Sequence, residues 1–172
     1  MPAPLRGDAM QPSTPPERAQ YLTFTLGREM FAIGILAIKE IIQFHGLTKV
    51  PMMPPSVRGV INLRGAVVPV VDLAVRLGRA AGQATRRSCV VIVETADPAQ
   101  RVMGVLVDSV NAVLEIAAAD IEPAPSFGAR VPGEFIAGMG RAGGRFVIVL
   151  QTGEVLSPGR LATTFNNHTQ GT

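Results

Sequence analysis

Apolar residues along this chain fall into many short runs at the two-residue period of a β-strand, broken by glycine, proline and asparagine. Leu22, Phe24 and Leu26 alternate with Thr23 and Thr25 up to a Gly27-Arg28-Glu29 turn, and residues 30–35 read as the hairpin partner. Ile35, Ile38 and Ile42 also fit one face of a helix. The extended reading with a single helical turn is favoured over 35–42, with the helix left open. Pro51, Pro54 and Pro55 make 47–56 a connection, and residues 60–73 form two strand-like runs about an Asn62-Leu63-Arg64-Gly65 corner. Gly65 supplies a positive φ there, and Pro69 restricts its strand to an edge or a bulge, so the hairpin holds Arg64 at a fixed, solvated corner. A short helix over 73–77, capped by Asp72, is predicted next. Strand signals return at 89–94 and 102–107 around an Ala96-Asp97-Pro98 turn, at 108–116, and at 135–137 and 146–150, with 123–133 a proline- and glycine-rich loop. The pattern predicts an all-β barrel or sandwich.

Composition narrows the setting. A 172-residue chain with 47% apolar residues is one folded domain, and its single cysteine forms no internal disulfide, which fits a reducing cytosol. Cys89, in Ser-Cys-Val-Val-Ile-Val, reads as part of a buried strand. Charges interrupt every apolar run before membrane-spanning length, and the N-terminus has no secretory apolar core, so a cytoplasmic protein without direct membrane insertion is expected. Five prolines and few large apolar groups make residues 1–20 a flexible tail; 21–165 is the expected domain and 166–172 a second tail. Net charge is +3, and residues 76–87 carry four arginines with no acid. That raises a basic nucleic-acid-binding β-barrel as the alternative, but the stretch lacks aromatics to stack bases, and a solvated loop is the reading adopted.

Common catalytic arrangements lack their parts. Gly138-Met139-Gly140-Arg141-Ala142-Gly143 matches a dinucleotide pattern, yet a strand follows where a helix is required, so it reads as a hairpin loop. Asp72 has no acidic partner for a metal, neither His45 nor His168 has metal-ligand spacing to a Cys or acid, and the apolar neighbours of Cys89 disfavour a thiolate. With no catalytic site, metal or cofactor indicated, the chain reads as a binder rather than an enzyme. One charged pair invites a role: if residues 38–41 lie beside the 62–65 corner, Glu40 and Arg64 pair at the rim of an apolar groove, where such a pair serves partner choice. Otherwise they are two unrelated surface charges.

Phe24-Thr25-Leu26-Gly27, Ala37-Ile38-Lys39-Glu40-Ile41, Arg58-Gly59-Val60-Ile61-Asn62-Leu63-Arg64-Gly65 and Val68-Pro69-Val70-Val71-Asp72-Leu73 together resemble the bacterial chemotaxis coupling family, CheW. The likeness continues through Cys89-Val90-Val91-Ile92-Val93, Gly104-Val105-Leu106-Val107-Asp108 and Ile121-Glu122-Pro123-Ala124-Pro125, covering residues 20–156. It implies two intertwined SH3-like five-stranded β-barrels with short helical segments. It also implies a non-catalytic adaptor that joins the cytoplasmic tip of methyl-accepting chemoreceptors to the histidine kinase CheA in membrane-attached arrays. On that likeness Glu40, Ile41, Gly59, Arg64, Val90 and Val110 fall in the receptor-binding groove, and Leu22, Ile35 and Ile38 where the regulatory domain of CheA packs. The chain departs from the family in its long proline-rich N-terminus, its arginine-rich 76–87 loop, and Pro158-Gly159 where relatives finish with a helix.

Overall fold

A computed structural model of the chain describes residues 18–95, 100–123 and 135–157. Most of the 1–20 tail, the turn at 96–98, most of the 123–133 loop and everything from Pro158 on, including the 166–172 tail, lie outside the described residues.

The chain runs β1 (Arg18–Leu26), β2 (Glu29–Gly34), a 3₁₀ turn (Ile35–Ala37), β3 (Ile38–Gln43), β4 (Val57–Leu63), β5 (Ala66–Asp72) and α1 (Leu73–Arg76). It then repeats the plan with β6 (Cys89–Glu94), β7 (Val102–Val107), β8 (Ser109–Ala117), a 3₁₀ turn (Ala118–Asp120), β9 (Ile136–Ala142), β10 (Arg145–Leu150) and α2 (Thr152–Val155). Two five-stranded sheets result, ordered β8-β1-β2-β10-β9 and β3-β6-β7-β5-β4. Each takes the first two strands of one half and the last three of the other, so the halves are interlocked. From β4 on, equivalent positions stand 79 residues apart: Gly59 and Gly138, Arg64 and Gly143, Asp72 and Gln151, Arg76 and Val155.

Both faces of each sheet are covered. Val91 and Val93 of β6 and Val105 and Val107 of β7 join Leu22, Phe24, Phe31 and Ile33 in the core between the sheets, while Val90, Ile92, Val70 and Leu106 form a second cluster on the opposite face. Ala32, Val147 and Val149 do the same for the other sheet. Burial on both faces is why 89–94 reads as an unbroken apolar run, with each fully buried aliphatic side chain contributing roughly 1.5–3 kcal/mol.

The all-β class is as expected, but the sheets are not closed barrels. Each curls until the segment after its first-listed edge strand touches the opposite edge through one antiparallel bridge, Thr48 with Val60 and Glu122 with Met139. Both crossings run against a glycine. A Cβ on Gly59 would lie 2.5 Å from the Thr48 carbonyl oxygen, and one on Gly138 would lie 2.8 Å from that of Glu122. The 138–143 glycines therefore serve strand β9, with only Gly143 and Gly144 at positive φ in the turn, correcting the hairpin-loop reading of the whole motif.

Other local expectations need correction. β1 starts at Arg18, pairing with β8 from Ala117, three residues inside the expected tail. Pro69 is on an interior strand: β5 meets β7 only over Val70–Asp72, and Val60, opposite Pro69, spends its own N–H and C=O on Thr48, so no ladder bond is lost to the proline. Asp72 caps α1 as predicted, its Oδ1 accepting from Ala74 N (3.1 Å) and Val75 N (3.4 Å), while Oδ2 receives Arg58 Nη1 at 2.5 Å. Arg76, read as part of a solvated loop, is buried: it ends α1, where the amphipathic turn that packs Leu73 and Leu77 also turns it inward.

Candidate protein-docking site

The corner between β4 and β5 is a two-residue hairpin with both central residues left-handed, Arg64 at φ +50° and Gly65 at +89°. This primed turn matches the twist of the flanking strands. Asn62 Oδ1 accepts the Gly65 N–H at 2.9 Å and fixes the loop from within. The equivalent hairpin of the second half uses Gly143 and Gly144, so Arg64 stands where its counterpart has no side chain, a conformation costing about 1 kcal/mol.

Glu40 holds that side chain in place. Arg64 Nη1 donates to Oε1 at 3.3 Å and Nη2 to Oε2, a two-pronged pair from the tip of one edge hairpin to the opposite edge strand of the same sheet. The sequence-based pairing is thus present, with 72% of the Arg64 side chain exposed. The hydrogen bonds from Arg64 hold the Glu40 carboxyl below the usual carboxylate range, partial burial opposing and the Arg64 and Lys39 charges assisting, and Glu40 in turn raises Arg64. Because the folded value is depressed, the stabilisation is present above the unfolded glutamate value and disappears as pH falls through the lowered folded one. Arg64→Gly, which keeps the turn, is expected to return the Glu40 titration midpoint upward to the ordinary range, as read by carboxyl NMR.

A bulge between Ile38 and Glu40 decides which way β3 side chains face. It sets Ile38, Ile41 and Gln43 opposite Val93, Val91 and Cys89, on the side between the sheets, and Glu40 and Ile42 opposite Ile92 and Val90, on the other. Ile38 and Ile42, whose spacing also fits one helical face, therefore stand on opposite sides of a strand. Ile41 and Val110 line a groove of about 560 Å³ between the sheets with Gln43, Arg86, Arg87, Cys89, Ser109 and Asn111. Across β3 a second groove of about 420 Å³ is lined by Ile42, Phe44, Ile61, Asn62 and Val90. Of the residues expected in the receptor-binding groove, Ile41 and Val110 thus line the first groove and Val90 the second, with Glu40 on the same side of β3 as Ile42.

Two of them offer little surface. Val90 is 1% exposed and forms floor, and Gly59 is buried under Thr48. Among the residues assigned to the kinase side, Leu22 is 2% exposed within the core between the sheets, Ile38 is half-buried against it, and Ile35 lines a separate groove of about 740 Å³ with Tyr21, Leu36 and Lys39. Leu36, fully exposed on the 3₁₀ turn, was not legible as a surface residue because nothing in its spacing separates it from its half-buried neighbours. Cys89 is half-buried at the groove wall rather than enclosed, its thiol donating to the Arg87 carbonyl at 3.4 Å.

Known proteins share this fold. The CheW-like domain matches residues 20–158. The "Chemotaxis protein CheW" of Klebsiella aerogenes is 34% identical over 147 residues, 86% of this chain and 87% of that protein, and its namesake from Rhizobium meliloti is 34% identical over 136 residues, 79% and 86%. The crystal structure of the scaffolding protein TtCheW from Thermoanaerobacter tengcongensis superposes with a TM-score of 0.71 at 27% identity, covering 83% of this chain and 90% of that one. With likeness running through both interlocked halves and the fold shared, the chain belongs to the CheW family.

Proposed function

We propose that this chain is a non-catalytic adaptor that links methyl-accepting chemoreceptors to the histidine kinase CheA. A chemotaxis scaffold is what the family membership supports directly. The observation that carries the finer reading is the Glu40–Arg64 pair, which a rigid hairpin sets on one side of β3 while Ile41 on its other side lines a groove with Val110. Apolar anchors such as Ile41, 42% exposed, supply affinity, and the charged rim selects the partner. Kinase contact is assigned to the separate groove around Ile35 and Leu36, so both partners bind at once without competing.

Among the described residues no helix is long and apolar enough to cross a membrane, so attachment to a receptor array runs through the receptor itself. The nucleic-acid alternative loses half of its basis in the arginine stretch: Arg76 is buried and Arg79 is paired with Glu29 and set over the Phe31 ring at 5.4 Å. Purification of the tagged chain from its own cells is expected to bring down a receptor and a CheA-type kinase together. Recovery of neither, with the chain folded, overturns the proposal.

A further inference from the structure

The structure divides the four arginines at 76–87 in two. Arg76 and Arg79 are tied into the fold. Arg86 and Arg87 occupy the corner of a turn built to stay put: Thr85 N–H donates to Ser88 Oγ at 2.9 Å, Ser88 N–H to the Thr85 carbonyl at 3.1 Å, and Arg87 N–H to Thr85 Oγ1 at 3.1 Å. Ser88 is buried and its carbonyl accepts the Phe44 N–H at 3.1 Å, while Gln43 Nε2 donates to the Arg86 carbonyl at 3.4 Å, so the turn is stitched to the end of β3. Both arginines line the groove between the sheets, opposite Ser109 and Asn111, and among the described residues neither has an acidic partner. The apolar wall of Ile41 and Val110 continues directly into them.

We infer that Arg86 and Arg87 are specificity determinants of this groove, recognising an acidic side chain that flanks the apolar anchor of the bound helical receptor tip. The inference rests on the receptor reading given above and adds the chemistry of the partner. Two exposed cations on a fixed turn beside an apolar wall, without an acidic partner among the described residues, complement a surface with an apolar residue next to a carboxylate and disfavour one with a cation there. Backbone hydrogen bonds already fix the turn, so docking orders the two side chains but not the loop that carries them. Rim charges of this kind act mainly on association rate and on salt dependence.

The test measures binding of the full chain to the soluble cytoplasmic hairpin fragment of a chemoreceptor from the same genome, at low and moderate salt. Arg86→Glu/Arg87→Glu is compared with wild type and with Arg64→Ala, each checked for folding by its thermal transition. The expected result is a roughly tenfold loss of affinity for the double reversal, with a flattened salt dependence, restored in part by reversing an acidic residue on the receptor fragment. If Arg64→Ala weakens binding and the double reversal leaves affinity and salt dependence unchanged, the arginine assignment is overturned while the receptor reading stands. If the wild-type chain ignores the fragment and instead binds single-stranded RNA with a steep salt dependence that the reversal abolishes, both are overturned.

Discussion

Arg76→Ala is expected to lower the stability of the fold by about 3 kcal/mol, more than any other single charged-residue deletion described above. The guanidinium is 1% exposed, lies 4.4 Å from the centroid of the Phe135 ring, and its Nε donates to the Val155 carbonyl at 2.6 Å. Because Val155 is the counterpart of Arg76 in the second half, this bond ties α1 to α2 where the interlocked halves face each other. Its loss leaves a buried carbonyl without its donor and a void beside the Phe135 ring. Urea unfolding followed by circular dichroism reads the effect as a lower midpoint at nearly unchanged slope. Arg76→Met, which keeps the stem but not the donor, should recover part of the loss. Equal midpoints for wild type and Arg76→Ala would mean that the Arg76–Val155 link adds nothing to the shared ladders and apolar packing that join the halves.

Gly59→Ala should damage both stability and docking. The new methyl would meet the Thr48 carbonyl oxygen, backbone that has no rotamer to escape into, so the Thr48–Val60 bridge must open at a cost of about 2–3 kcal/mol. With the bridge goes the seating of the β4–β5 hairpin against β3, and with that the Glu40–Arg64 pair. Gly138→Ala strikes the equivalent crossing of the other sheet, 2.8 Å from the Glu122 carbonyl oxygen, and is expected to cost stability while sparing receptor binding. Gly82→Ala, with nothing near its Cβ, serves as the control and should stay within about 0.5 kcal/mol of wild type. Receptor-fragment binding measured well below each melting point separates the variants; equal affinity for Gly59→Ala and Gly138→Ala contradicts the role given to the hairpin.

The strands and the corner were readable in the residues because their signals are local. Alternation marks β1, the glycine after Arg64 marks a turn, and Asp72 before an apolar turn marks a cap. Barrel closure was not readable: whether a curled sheet completes its ladder depends on long-range contact between segments such as Thr48 and Val60, and the sequence pattern is the same either way. Pro69 misled because the rule for proline assumes a demand for its missing N–H, and here the bonding of Val60 faces away. Arg76 misled for a related reason, since composition counts an arginine as solvated while a 3.6-residue period, once the helix is placed, carries it to the same side as Leu73 and Leu77. Of the expected docking residues, Arg64, Glu40, Ile41 and Val110 present themselves at or beside a groove, whereas Val90 and Leu22 lie beneath the surface, because the resemblance assigns positions on a fold without stating which face each side chain takes. Arg86 and Arg87 were passed over since only tertiary structure brings their turn to the groove mouth.

Co-sedimentation of three purified components tests the adaptor account most directly: membranes carrying the receptor, the CheA-type kinase, and this chain. The kinase is expected to pellet with receptor membranes when the wild-type chain is present and to stay in the supernatant when it is omitted or replaced by folded Arg64→Ala. Kinase that pellets equally in all three cases contradicts it.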